Sequence, residues 1–202
     1  MFTGIVTDIG EVVAVKPRGT DLTRLTIACG YDRASIADGA SISCSGVCLT
    51  VIGTGEAAGR TVFDVDAAAE TLRVTTAGSW VKGTRLNLER ALKYGDEMGG
   101  HVVAGHVDGI AEILSREDMT ESARFTLRAP GDLSRFIAPK GSVALDGVSL
   151  TINEVADGHF SVMIIPHTLQ VTTFGALRAG DSLNLEIDTM ARYAARLLDA
   201  RS

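Results

Sequence analysis

Two short segments carry the most suggestive chemistry in the chain, and they are nearly the same segment. GVCLTV occupies residues 46–51 and GVSLTI residues 147–152, so Cys48 and Ser149 hold equivalent positions. A thiol and a hydroxyl are both side-chain nucleophiles once a base activates them. Thr50 and Thr151 follow two residues later, which on a strand places them on the same face. A small buried cysteine is more often filler than nucleophile; its place in a repeated motif beside threonine argues for function. His101 and His106, in GGHVVAGHVDG, are bases available near pH 7. Read as a strand, they point to opposite faces and are not co-ligands. Asp146 replaces Ser45 of the first copy and either supports a turn or brings a carboxylate near Ser149. Lys140, ahead of Gly141, reads as a loop lysine. Cys44 and Cys48 share strand parity but would lie ~13 Å apart on an extended strand. No second pair follows at zinc spacing, so no metal is expected.

The duplication runs through the whole chain. The step from Gly4 of GIVTDIGEV to Gly105 of GHVDGIAEI is 101 residues, and so is the step from Gly46 to Gly147. ETLRVTTAGSWVKGTRLNLE (70–89) falls on HTLQVTTFGALRAGDSLNLE (167–186) at a step of 97, kept through Val74/Val171, Gly78/Gly175, Gly83/Gly180 and Asn87/Asn184. The difference falls between VIGTGEAAGRTVFDV and INEVADGHFSV, Gly-containing connections where a hairpin tolerates a change of length. Matching core patterns predict the same fold twice. Where the halves agree, at Gly4/Gly105, Val6/Val107, Leu49/Leu150, Thr50/Thr151 and Thr71/Thr168, one chemical group can be bound twice. Where they differ, at Phe2/Val103, Ile5/His106, Ser45/Asp146, Cys48/Ser149 and Glu70/His167, the two sites differ in chemistry. A reaction between two identical molecules needs that inequality, because one must act as donor and the other as acceptor.

The elements that must position these groups are mostly strands. LTRLTIAC (22–29), SISCSGVCLTVIG (41–53) and ARFTLRA (123–129) alternate or run β-branched. Gly10, Gly19, Gly30, Gly39, Gly46 and Gly53 punctuate at short intervals. Such a pattern predicts a small antiparallel barrel or sandwich in each half. KGTRLNLERAL and AGDSLNLEIDTM each read as a turn and a closing strand; short helices are expected near YDRASIA and PGDLSRFI. The boundary falls in LKYGDEMGG (92–100), giving units 1–96 and 97–187. In the tail, 188–202, Tyr193 or Ala194, Leu197, Leu198 and Arg201 on a 3–4 spacing predict an amphipathic helix. That helix has no counterpart between the halves. It is open to a role in assembly or to docking on its own barrel.

Composition bounds the rest. At 202 residues, 46% apolar and 22% charged, the chain can bury a real core. A net charge of −6 without a basic block gives nucleic acid nothing to hold. No apolar run approaches the ~18 residues that span a bilayer, and MFTGIVTDIG lacks the regions of a secretory signal. The cysteines, Cys29, Cys44 and Cys48, are an odd, sparse set that points to a reducing compartment, hence the cytoplasm.

MFTGIV at the start, G-x-C-L-T and ETLRVTT in the first half, and GGHVVAGHVDG, DGVSLT and PHTL in the second closely resemble the riboflavin synthase alpha chain family, in order and over essentially the whole chain. The resemblance implies an all-β fold: two similar six-stranded antiparallel Greek-key barrels with a C-terminal α-helix, assembled as a homotrimer. It implies dismutation of two molecules of 6,7-dimethyl-8-ribityllumazine. A four-carbon unit passes from one to the other, giving riboflavin and 5-amino-6-(D-ribitylamino)uracil in the last step of riboflavin biosynthesis, with no metal or redox cofactor. The active site would form between the N-terminal barrel of one subunit and the C-terminal barrel of its neighbour.

By the same resemblance, the N-terminal pocket would comprise Gly4, Ile5, Val6, Ser41, Cys48, Leu49, Thr50, Asp66, Ala67, Ala68, Ala69, Glu70 and Thr71. The C-terminal pocket would comprise Gly105, His106, Val107, Lys140, Ser149, Leu150, Thr151, Met163, Ile164, Ile165, Pro166, His167 and Thr168. Phe2, Ser41, Cys48, His101, His106, Asp146 and Ser149 form the implied reactive set. His106 or His101 would remove a 7-methyl proton, and hydroxide, Cys48 or Ser41 would add to the acceptor. Ser45 stands where the family often has Asn, and Ala69 where it often has Lys, so the first pocket is expected to be retuned. Two rival readings share parts of the pattern. A lumazine- or flavin-binding antenna protein on the same barrels would use one pocket and need no reactive set. A flavoreductase-type barrel would need a nicotinamide-binding partner domain, and no G-x-G-x-x-G follows a strand and opens a helix.

Overall fold

In the computed structural model, which describes residues 1–200, left-handed turns set the strand pairing. Ser45–Gly46 and Ala58–Gly59 in the first half, and Asp146–Gly147 and Asp157–Gly158 in the second, all have positive φ. This is type I′ backbone, whose twist suits a two-residue hairpin and which favours glycine as the second residue. The first half contains β1 (Asp8–Arg18), β2 (Leu22–Cys29), β3 (Ser41–Cys44), β4 (Val47–Ala57), β5 (Arg60–Ala68), α1 (Ala69–Val74) and β6 (Arg85–Arg90). The second contains β7 (Gly109–Asp118), β8 (Ala123–Arg128), β9 (Ser142–Leu145), β10 (Val148–Ala156), β11 (His159–Ile164), α2 (Pro166–Val171) and β12 (Ser182–Ile187), and α3 (Thr189–Asp199) follows. Each half closes into a barrel, in the ring order β1-β2-β5-β4-β3-β6 and its counterpart β7-β8-β11-β10-β9-β12. The return of β6 beside the β3–β4–β5 meander is a Greek key. Among the described residues, no helix is long and apolar enough to cross a membrane.

The change of step is resolved inside one hairpin. Ala58 and Asp157 stand 99 residues apart, so the second hairpin loses two residues before its turn and two after it, and keeps the turn. Bulges recur at the 101-residue step: between Val12 and Ala14 and between Ile113 and Ser115, then between Val51 and Gly53 and between Ile152 and Glu154. Added twist at these points lets each sheet curl shut. The cores trade volume. Ala77 and Trp80 in the first barrel become Phe174 and Leu177 in the second, and Phe174 meets Phe125 edge to face at 5.5 Å.

The barrels meet about an approximate twofold axis. Phe2 N donates to Val103 O at 2.7 Å and Val103 N to Phe2 O at 3.0 Å. Asn87 Nδ2 donates to Asp146 O and Asn184 Nδ2 to Ser45 O, at 3.0 and 2.8 Å. Their Oδ1 atoms accept from Thr173 N and Thr76 N. Each closing strand thus reaches into the other barrel, and these buried amides are satisfied reciprocally.

Several segments depart from what periodicity predicts. SISCSGVCLTVIG is a hairpin, not one strand: Cys44 pairs with Val47 and Cys48 with Ser43, so Cys44 and Cys48 lie on different strands. Small, buried residues continue across the turn and mask it. GGHVVAGHVDG is not a strand: apart from Gly109, which opens β7, its pairing is the single bridge from Val103 to Phe2. The helices expected near YDRASIA and PGDLSRFI are the 3-10 segments Arg33–Ser35 and Gly131–Phe136. At six residues, α1 and α2 are too short to leave a helical period in the sequence. Helix α3 forms in the tail, with none of its residues buried; Arg192–Asp108 and Arg135–Asp199 ion pairs tie it to the rest of the chain. Arg201, part of the expected stripe, lies outside the described residues.

Candidate active site

Strand alternation puts the positions expected to react outside the barrels. On β4, Val47, Leu49 and Val51 are buried, leaving Cys48 half-buried and Thr50 exposed on the outer face, with Ser41 opposite Thr50. On β10, Ser149 is half-buried and Thr151 exposed, while Leu150 packs against the second core. The β5–α1 junction supplies the next wall. Arg24 binds the Asp66 carboxylate through two bonds of 2.9 and 2.8 Å and holds its pKa below the usual range. Ala67 is buried, Ala68 and Ala69 are exposed, Glu70 is exposed and paired with Arg73, and Thr71 is half-buried. At the β11–α2 junction Met163 and Thr168 are half-buried, Ile164 is buried, and Ile165, Pro166 and His167 are exposed.

Each outer face is walled by an arm from the other half. Ser149 N donates to Gly4 O at 2.8 Å, and Cys48 N donates to Gly105 O at 2.9 Å. Val6 packs on the second core and Val107 on the first. The expected grouping of Gly4, Ile5 and Val6 with Cys48, and of Gly105, His106 and Val107 with Ser149, is corrected: the arms are exchanged. The Phe2–Val103 bridge crosses them at the axis, a relation that chain order does not reveal. A Cβ on Gly4 would lie 2.6 Å from Ser149 Cβ, and one on Gly105 2.6 Å from Cys48 Cβ; both glycines also have positive φ. Only glycine allows this approach.

His101 and Ser149 are brought together, with Nδ1 2.7 Å from Oγ. Gly100 permits it, since a Cβ there would collide with Thr3 O and Ser149. Burial lowers the His101 pKa, and Asp188 opposes this in part. The imidazole is therefore neutral near pH 7, and with its proton on Nδ1 it donates to Ser149 Oγ and leaves Nε2 free to act as a base. Among the described residues, no side chain hydrogen-bonds the Cys48 thiol. The inequality inferred from the repeat thus takes physical form at these two positions.

The remaining expected residues are distributed differently. Phe2 is fully buried in the seam with Val103 and Ala144, packed against Cys48, and forms a wall behind it. Asp146 also belongs to the seam. Its Oδ1 accepts the Asn184 N–H at 2.8 Å, as Ser45 Oγ accepts the Asn87 N–H at 3.2 Å. Among the described residues no hydrogen bond joins Asp146 to Ser149 or His101, and burial pushes its pKa up to about 7. His106 has an exposed side chain, its backbone N–H bound to Glu186. Lys140 is exposed at φ 67, where the first half has Gly39 at φ 82; lysine in that conformation costs ~1 kcal/mol. Among the described residues there is no cluster of three or more His, Cys, Asp and Glu fit for a metal. A cavity of about 510 Å³ takes Ile5, Thr3 and Glu89 into its lining, and one of about 350 Å³ takes Ser45 and Asp146; Cys48 and Ser149 line neither, and Thr50 and Thr151 beside them are exposed.

Sequence reasoning missed Glu89 and Glu186, which end the LNLE motif of each closing strand and are 5% and 2% exposed. The signal was an acidic residue repeated in both halves on an otherwise core-facing strand.

A family model described as lumazine binding domain matches the chain twice, at residues 3–91 and 104–188. A riboflavin synthase of Brucella abortus is 57% identical over 98% of each chain. Riboflavin synthases of Photobacterium phosphoreum and Mycobacterium bovis are 36% and 38% identical over 98% of this chain and 89% and 98% of theirs. Among solved structures, LumP complexed with 6,7-dimethyl-8-(1'-D-ribityl) lumazine aligns with a TM-score of 0.80 at 23% identity, over 93% of this chain and 99% of that one, a likeness of fold. With the domain matched in both halves and relatives this similar along nearly its whole length, the chain belongs to the riboflavin synthase family.

Proposed function

We propose that this chain converts two molecules of 6,7-dimethyl-8-ribityllumazine into riboflavin and 5-amino-6-(D-ribitylamino)uracil. The observation that carries the reading is the unequal furnishing of equivalent positions: Ser149 holds His101 at 2.7 Å, while the Cys48 thiol has no hydrogen-bonding side chain beside it among the described residues. One lumazine binds on the β4 face beside the Gly105 arm and the other on the β10 face beside the Gly4 arm. Thr50, Thr151 and backbone groups meet the pteridine's polar edge. Lys140 and the β5–α1 and β11–α2 junctions serve the rest of each molecule.

Neutral His101, oriented by Ser149, takes the 7-methyl proton of the lumazine on the β10 face. A nucleophile, water or the Cys48 thiol, adds to the second lumazine; the carbanion attacks that adduct, and the nucleophile is expelled again before the products leave. Four carbons move between the two molecules. The two products together hold the atoms of two substrates, so no oxidant or reductant enters. Alignment of the pair supplies up to ~7–11 kcal/mol of the barrier.

The open faces fit a site completed by a second copy, and exposed Met190, Tyr193 and Leu197 on α3 fit a helix that joins subunits in a homotrimer. In this reading 1–96 and 97–187 are the lumazine-binding units, 188–202 serves assembly, and the free cysteines suit a cytoplasmic enzyme. The test is a colour assay on the purified chain in the presence of a chelator. Riboflavin absorbance should rise, with one riboflavin formed per two lumazines consumed. Binding without turnover would leave an antenna protein instead.

A further inference from the structure

We propose that Glu89 and Glu186 are positioning residues, each of which shapes the substrate face of the opposite barrel. The inference rests on the reading that the Cys48 and Ser149 faces take lumazine. Glu89 Oε1 accepts from Thr3 N and Thr3 Oγ1 at 2.7 and 2.8 Å, and Oε2 accepts from Gly4 N at 2.9 Å. The same glycine continues across the seam, because Gly4 O accepts from Ser149 N. Glu186 repeats the device: Oε1 accepts from Ala104 N at 2.7 Å, and Oε2 from Gly105 N and His106 N at 2.9 and 3.0 Å. Gly105 O then accepts from Cys48 N.

Each carboxylate therefore stands two hydrogen bonds from the reactive position of the other barrel, through one glycine. A carboxylate suits the task because it only accepts, and converging N–H groups need an acceptor with several lone pairs. Burial raises both pKa values, and the arm N–H groups oppose that rise. The acids lie within the barrels whose closing strands carry them, yet they hold arms that wall the other barrel. The reciprocal arrangement ties the geometry of each pocket to the fold of both halves.

The test uses the full chain and needs no substrate. Cys29 and Cys44 are 1% and 0% exposed, so the half-buried Cys48 is the thiol that reacts first with iodoacetamide. Glu186→Gln, which sets an NH2 group against N–H donors, is expected to change the Cys48 alkylation rate severalfold, and Glu89→Gln to leave it unchanged. The His101 imidazole, followed by NMR titration, is expected to shift in Glu89→Gln and not in Glu186→Gln. If a glutamine variant fails to fold, Glu89→Asp and Glu186→Asp, too short to reach the arms, are expected to give the same crossed pattern. A pattern in which each acid affects its own barrel, or neither readout, overturns the positioning role. That result leaves dismutation to the colour assay, and a colourless assay with a crossed pattern would remove only the dismutation.

Discussion

Phe2 and Val103 occupy the same position in the two halves of the chain, and they bond to each other through both backbone hydrogen bonds. A residue paired with its own repeat equivalent marks the axis that relates the barrels. From that bridge the arms diverge, Gly4 toward Ser149 and Gly105 toward Cys48. Duplication therefore yields two faces that are each walled by both halves, and the halves differ at Cys48 and Ser149 within them.

His101 is held neutral by burial, so its activity as a base should persist below the ordinary histidine range. A base works when deprotonated; a lowered pKa moves the acid limb of the kcat profile to lower pH. His101→Gln should lose about 10²–10⁴ in kcat and abolish that limb. A wild-type limb above the ordinary histidine pKa would contradict the assignment. Steady-state kinetics across pH reads both.

Gly100 keeps His101 against Ser149. Gly100→Ala must displace the arm, since its methyl would meet Thr3 O and the Ser149 side chain. The expected outcome is a large fall in kcat with destabilisation of ~1–3 kcal/mol by thermal melting. An unchanged kcat would show that the His101–Ser149 contact is dispensable.

Asp146 makes stability depend on pH. Burial raises its carboxyl from the ordinary 3.8 to about 7, so the folded chain holds a proton that the unfolded chain releases. The contribution favours folding below about pH 4 and is lost as pH rises through about 7. Asp146→Asn can still accept the Asn184 N–H and tolerates the left-handed turn. Relative to the parent, it should gain ~4 kcal/mol between pH 4 and 8 by urea unfolding. A pH-independent difference would count against a buried, titrating Asp146.

Lys140 holds a conformation that suits glycine, as at Gly39. Lys140→Gly should raise stability by up to ~1 kcal/mol while weakening lumazine binding. Melting and fluorescence titration separate the two effects; a gain in stability with unchanged binding would remove Lys140 from the pocket.

Much of the fold was legible because the repeat could be read as strand pattern twice. LTRLTIAC is β2 as expected, and both LNLE segments are closing strands. Cys48 and Ser149 were found as an unequal pair because they differ at one position of a shared motif. The arm exchange was not legible: Gly4 and Gly105 bond across the seam, and no local pattern encodes a partner on another barrel. The place of Asp146 was not legible either: it is close to Ser149 in sequence, while the turn at Asp146–Gly147 lies in the seam, where its carboxyl accepts the Asn184 N–H. Glu89 and Glu186 were overlooked because an acid that ends a strand usually faces water, whereas here it meets the buried N–H groups of an arm.

The most direct test of inequality between matched pockets compares Cys48→Ala with Ser149→Ala in single-turnover formation of riboflavin. Ser149→Ala should lose more, because it removes the group that orients His101, while Cys48→Ala removes a thiol without a hydrogen-bonding partner among the described residues. Equal losses would contradict the account, since positions that match by descent would then also match in chemistry.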